Sequence, residues 1–189
     1  MRELTTGKRP VLISFFTYTA IALVTVLSAW IINLHRFDLS LTISRYVALR
    51  PWTAIVYAIC IASMVVLIVT HVKNLKILLL RKILYFLVFA CVLGCALFPF
   101  NREWSTISST IHNYCAYALM FLMAISFIVL IITGRKAQKI FAILSILYAV
   151  YFIIAFLVVG WQWFYDTIFI WENLFIYLLL SELWLEKVS

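Results

Sequence analysis

Charge is what this sequence has least of. Asp, Glu, Lys and Arg make up 12% of its 189 residues, against about a quarter in a soluble domain. So few charged groups cannot coat a globule in water, and lipid must be the main solvent. Glycine and proline are nearly as scarce, four and three, and no low-complexity region or flexible linker is visible. The four cysteines, Cys60, Cys91, Cys95 and Cys115, all fall in apolar stretches and form no CxxC. Cys91 and Cys95 stand at i and i+4, where helix geometry disfavours a disulfide, so reduced packing thiols are expected.

The three histidines, His35, His71 and His112, are too few for a zinc enzyme. A catalytic zinc takes about three protein ligands, and His71 is placed at the opposite membrane face from the other two. A single haem between His35 and His112 is the most that axial ligation would allow, and two haems on four histidines are excluded. No glycine-rich phosphate loop and no Cys/His finger is present. The expectation is therefore no metal and no cofactor.

What the chain has in abundance is apolar length: 67% of its residues are hydrophobic. A helix needs about 20 apolar residues to cross the hydrocarbon core. Six such spans are read, at about 11–33, 52–72, 77–100, 111–133, 140–160 and 163–184. The fold class expected is all-α, a polytopic integral membrane protein whose residues 1–189 form one six-helix transmembrane bundle. The basic run before span 1 resembles a signal peptide, but the apolar stretch is too long and lacks a small-x-small cleavage site before Trp30, so it reads as an uncleaved anchor.

The net charge of +8 is explained by topology. Arg2, Lys8 and Arg9 precede span 1. Lys73, Lys76, Arg81 and Lys82 separate spans 2 and 3, Arg135, Lys136 and Lys139 separate spans 4 and 5, and Lys187 follows span 6. Only Arg36, Arg45, Arg50 and Arg102 fall in the alternate gaps. The positive-inside rule then places both termini in the cytoplasm, the membrane being read as a prokaryotic cytoplasmic one, and removes the case for nucleic-acid binding. Trp30, Trp52, Trp104, Trp161 and Trp163 lie near outer span ends and Trp184 near an inner one, as an interfacial aromatic belt requires.

Small residues predict the contact faces, because membrane helices pack where backbones approach closely. Ala54, Ala58 and Ala62 mark span 2, Ala90 and Gly94 span 3, and Ala116 and Ala124, in register with His112 and Met120, span 4. The longest connector, 34–50, alternates polar and apolar residues from Phe37 to Ser44, a pattern for a short strand or an interfacial segment. A shared Thr-Ile-Ser in the two outer loops is too short to establish a duplication.

Ionisable groups inside the hydrocarbon are costly and default to functional hypotheses. Glu172 lies near the middle of span 6, with Asp166 closer to its outer end. With Tyr165, Asn173 and Tyr177 they form a polar strip expected to face the bundle. Glu172 either binds a cation, proton or polar group, or is a hydrogen-bonded structural residue. Glu182 and Glu186 are read as ordinary interfacial charges. The outer ends gather a candidate ligand-binding set: Arg45, Tyr46, Asn101, Arg102, His112, Asp166, Glu172 and Asn173. Arg45 or Arg102 would grip an anionic headgroup bidentately. Ser108 and His112, one turn apart with Asp166 as the carboxylate, form a candidate catalytic set.

Thr42-Ile43-Ser44 after span 1, Phe98-Pro99 closing span 3 and His112 opening span 4 resemble the six-helix membrane family named domain of unknown function 998, itself similar to the Frag1/DRAM/Sfk1 proteins. The glycine-rich span 3 associated with that family is reduced here to Gly94. The resemblance implies a six-helix bundle with an outer polar site and brings no reaction. The leading functional expectation is a small membrane protein whose outward polar pocket binds or transports a lipid or small amphiphile. Two alternatives stand beside it: a membrane-embedded hydrolase or transferase using Ser108, His112 and a carboxylate, and a structural subunit or assembly factor of a membrane complex. Membrane lipids, a small amphiphilic ligand and a second copy or partner subunit are the partners considered.

Overall fold

The computed structural model describes residues 2–33, 46–48, 51–99, 105–160 and 168–186. These residues are helical, with no strand among them. The helices are α1 (Arg2–Asn33), α2 (Pro51–Asn74), α3 (Leu79–Leu97), α4 (Thr106–Thr133), α5 (Lys136–Val159) and α6 (Ile168–Trp184). Four of them, α2 to α5, are long and apolar enough to cross a membrane. This is an α-helical integral membrane protein. The alternating segment 37–44 lies outside the described residues.

Local chemistry explains the helix ends. α1 begins well before the apolar run and passes through Pro10, which removes a single ladder bond. Pro51 opens α2, where the missing N–H would have had no partner. The Ser105 hydroxyl accepts from the Ser108 N–H at 3.2 Å and caps α4. α5 starts with the Arg135 N–H donating to Gln138 Oε1 at 2.9 Å. It stops at Gly160, whose φ of 92° is the left-handed conformation that favours glycine at a helix end.

Packing follows chain order. α3 lies between α2 and α4, α1 packs on α2 and on α6, and α5 bridges α4 and α6. The buried residues include Ile61, Met64 and Ile68 of α2, Tyr85, Val88 and Phe89 of α3, Met123 and Leu130 of α4, and Leu179, Leu180 and Leu183 of α6. Ile143, Leu144, Leu147, Val150 and Ile154 of α5 are exposed. Such residues face lipid tails as apolar as themselves, so their exposure carries no hydrophobic penalty.

The small-residue stripes hold only in part. Gly94 does lie at a close helix contact: a Cβ there would come within 2.5 Å of Cys115 Sγ on α4. Ala54 is buried as well. Ala90 and Ala124, however, are exposed, as is Met120. The buried face of α4 runs instead through Ser109, His112, Met123, Ser126, Phe127 and Leu130. At 3.6 residues per turn a strict i+4 row rotates by ~40° at each step. A row followed from His112 to Ala124 therefore turns away from the bundle, whereas mixed steps of three and four residues remain on it.

The basic segments converge at one end. Lys8 Nζ lies 4.8 Å from the centre of the Trp184 ring. Lys82 Nζ donates to the Lys73 carbonyl at 2.9 Å. Arg135 Nη2 donates to the Leu185 carbonyl at 2.7 Å. The first and third contacts join the start of α1 and the α4–α5 connection to the end of α6, and the second closes the α2–α3 connection on itself.

Candidate functional site

The most polar part of the bundle is buried at this basic end, and the sequence reading misassigned it. Glu182 and Glu186 are 1% and 3% exposed, and Arg81 is 7% exposed. None of the three is an interfacial charge. Arg81 Nη2, in the first turn of α3, forms an ion pair with Glu186 Oε1. The Tyr85 hydroxyl, one turn further along, lies 3.0 Å from both Glu182 Oε1 and Glu186 Oε1. Ser126 on α4 donates to Glu182 Oε1 at 2.9 Å. Gln138 Nε2 donates to Glu186 Oε2 at 2.9 Å. Because Gln138 Oε1 already accepts from the Arg135 N–H, its amide group is oriented with the NH₂ toward the carboxylate.

Four helices thus meet on two carboxyl groups, and the inventory of partners is unequal. Every polar atom of the Glu186 carboxyl is used. On Glu182, Oε1 has two donors while Oε2 is buried with no hydrogen-bond partner among the described residues. One guanidinium faces two carboxyl groups inside the cluster. The Arg135 guanidinium stands at its edge and is exposed, where it complements the carbonyl end of α6. A buried carboxyl oxygen without a partner is costly. Chemically, the cluster can take up one further hydrogen-bond donor or one positive charge at Glu182.

A second polar layer joins α6 to α1. The Tyr18 hydroxyl donates to Asn173 Oδ1 at 3.1 Å, and the Thr19 and Tyr177 hydroxyls are 3.0 Å apart. The Tyr18 and Tyr177 rings meet edge to face, with centroids 5.5 Å apart. Asn173 and Tyr177 of the span-6 strip therefore face the bundle. α6 consequently supplies a partner to hydrogen bonds from α1, α3, α4 and α5.

At the other end of the bundle, Ser108 and His112 each bind backbone carbonyls near the end of α3. His112 Nδ1 lies 3.0 Å from the Cys95 carbonyl and 2.9 Å from the Phe98 carbonyl. Both oxygens accept, so Nδ1 carries the hydrogen. The Ser108 hydroxyl donates to the Pro99 carbonyl at 3.1 Å rather than to the imidazole. Both side chains thus satisfy carbonyls left open where α3 ends. His112→Ala should cost about 1 kcal/mol by removing one donor shared by two part-buried carbonyls, read as a lower melting temperature in mild detergent, and His112→Asn should recover part of it. Equal melting of the alanine variant and the parent would contradict this tethering role.

Tyr46 is buried beside Val47 and Ala48, and Thr53 Oγ1 donates to the Val47 carbonyl. Arg45, Asn101, Arg102 and Asp166 lie outside the described residues, as does the side chain of Glu172. Of the outward candidate set the structure therefore places Tyr46, Ser108, His112 and Asn173. Asn173 lies against α1, and Ser108 and His112 against the end of α3. Among the described residues no group of three or more His, Cys, Asp or Glu side chains is arranged to hold a metal ion.

No family model, no curated protein and no solved structure matches this chain.

Proposed function

We propose that this protein binds or carries a lipid or small amphiphile across a six-span bundle with both termini in the cytoplasm, in a prokaryotic cytoplasmic membrane. The observation that carries the reading is the buried, unevenly compensated charge cluster on Glu182 and Glu186. A scaffold held by packing has no need of three ionisable groups in its interior. Replacing such groups by apolar residues is often neutral or stabilising, and ionisable residues in membrane segments mark pathways and relays. The Tyr18–Asn173 and Thr19–Tyr177 pairs extend polar contacts along α6, ~20 Å from Asn173 to Glu186 at 1.5 Å per residue. A helix with polar partners along its length has alternative hydrogen bonds to exchange when it shifts. In this proposal the outward pocket expected from the sequence receives the ligand, with Arg45 or Arg102 for the anionic headgroup and His112 and Asp166 as further polar contacts.

The test is reconstitution into vesicles carrying a trace of phospholipid with a fluorescent headgroup label, with an impermeant reductant added to bleach the outer leaflet. The expected result is movement of inner-leaflet label to the outer leaflet faster than in protein-free vesicles. Rates matching protein-free vesicles would reject lipid exchange as the activity. Stable capture of a second polypeptide in mild detergent, with no exchange, would favour the assembly-subunit reading.

A further inference from the structure

Beside the charge cluster, at the same end of α6, lies an apolar cleft of about 370 Å³. Val11, Leu12 and Phe15 of α1 form one wall, Phe141 of α5 the other, and Leu180 and Trp184 of α6 the floor. Leu12, Phe15 and Trp184 are partly open to the surroundings, at 43%, 39% and 41% exposure. The volume falls in the lower part of the ~300–1,000 Å³ range of small-molecule sites. Membrane-facing apolar walls alone would accept any hydrocarbon. What makes this cleft selective is its mouth.

Two cations contact residues that line it. Lys8 Nζ sits 4.8 Å from the centre of the Trp184 ring. Arg135 Nη2 donates to the carbonyl of Leu185, another lining residue. That bond uses one of the five guanidinium N–H groups. Arg9 and Lys136 are exposed at the same end. Glu182 and Glu186 are buried and turned to Arg81, Tyr85, Ser126 and Gln138, so neither of these two carboxyl groups offsets the cations at the mouth.

We propose that this cleft is a site for an anionic phospholipid, with an acyl chain against Leu12, Phe15, Phe141 and Leu180 and the phosphate between Lys8 and Arg135. A basic mouth between membrane helices on one leaflet side selects acidic headgroups. Trp184, amphipathic and beneath Lys8, occupies the headgroup level as interfacial tryptophans do. The site lies at the end of the bundle opposite the outward set and is independent of lipid exchange. A resident lipid held here fixes α1 and α5 against α6 and need not be the one carried.

The experiment is native mass spectrometry of the full chain after equilibration in detergent micelles with equal amounts of phosphatidylglycerol and phosphatidylcholine of the same acyl chains. The expected spectrum shows one phosphatidylglycerol retained in preference to phosphatidylcholine. Lys8→Gln and Arg135→Gln should each lower that preference about fivefold, the effect of one cation near an anionic surface. Leu12→Trp, which fills the cleft from its exposed wall without touching the buried core, should expel the lipid while the protein remains folded by circular dichroism. Equal retention of the two lipids, or a phosphatidylglycerol preference unmoved by all three substitutions, would overturn the proposal. So would a dimer without lipid that Leu12→Trp dissociates, because the occupant would then be a second copy of the chain. Exchange of labelled lipid between leaflets is read separately, so failure here leaves that activity standing, and the reverse also holds.

Discussion

Arg81→Met is expected to destabilise the folded protein by about 3–5 kcal/mol, the cost of removing one partner of a buried ion pair. Methionine occupies a volume similar to the arginine stem, so lost packing contributes little. The loss is electrostatic. Arg81 is the only guanidinium inside the cluster among the described residues, and its removal leaves Glu182 and Glu186 facing each other across the Tyr85 hydroxyl. Arg81→Lys should recover only part of the stability, since the contacts to Glu186 and Tyr85 are both made by Nη2, at a distance along the side chain that the shorter lysine stem does not reach with the same geometry. The discriminating construction is the double variant Arg81→Met with Glu186→Gln. It removes one of the two carboxyl groups left facing each other and keeps an acceptor for Tyr85, so it should be more stable than Arg81→Met alone. Thermal unfolding in one mild detergent reads all four proteins. If Arg81→Met melts with the parent, the ion pair contributes nothing to the fold.

The same cluster shows how far the sequence could be read. Hydrophobic run length located the spans: α2 at Pro51–Asn74 and α4 at Thr106–Thr133 contain the expected 52–72 and 111–133. The bilayer demands about 20 apolar residues whatever the tertiary arrangement, so this signal is local. Asn173 and Tyr177 were also legible, because polar residues in a lipid-facing helix have nowhere to turn but inward. Glu182 and Glu186 were not. Near a helix end, a carboxylate reaching water and one drawn under the bundle have the same sequence context. The difference lies in Arg81, Tyr85, Ser126 and Gln138, which come from three other parts of the chain. One signal was available: Glu182 and Glu186 are spaced i, i+4, as are Arg81 and Tyr85, so each pair shares a helix face at the same membrane end. Ser108 and His112 show what spacing alone leaves open. Their i, i+4 spacing did place them on one face of α4, but that face meets the carbonyl end of α3, and each side chain has a carbonyl to satisfy.

Glu182→Gln is the substitution expected to separate function from stability most widely. Glutamine preserves the side-chain length and leaves a carbonyl oxygen to accept from Ser126 and Tyr85 in place of Oε1. Its NH₂ replaces Oε2, the oxygen without a partner, and one of two carboxyl groups facing one guanidinium disappears. On packing and electrostatic grounds the variant should therefore melt within about 1 kcal/mol of the parent, or slightly above it. Glu182→Ala removes the same charge but opens a cavity and strands the Ser126 hydroxyl, and should lose about 2–4 kcal/mol. If the uneven cluster serves lipid exchange, Glu182→Gln should slow the appearance of labelled lipid in the outer leaflet at least about tenfold, a barrier change of ~1.4 kcal/mol. Glu186→Gln serves as the comparison, because every Glu186 oxygen is already satisfied and its loss should appear first in stability. A Glu182→Gln protein that exchanges lipid at the parental rate would make the carboxyl a structural acceptor and remove the observation on which the proposed function rests. A slow but stably folded Glu182→Gln, beside a less stable Glu186→Gln, would assign the two carboxyl groups to different tasks: Glu186 holding α6 to α3 and α5, and Glu182 supplying the group that changes state.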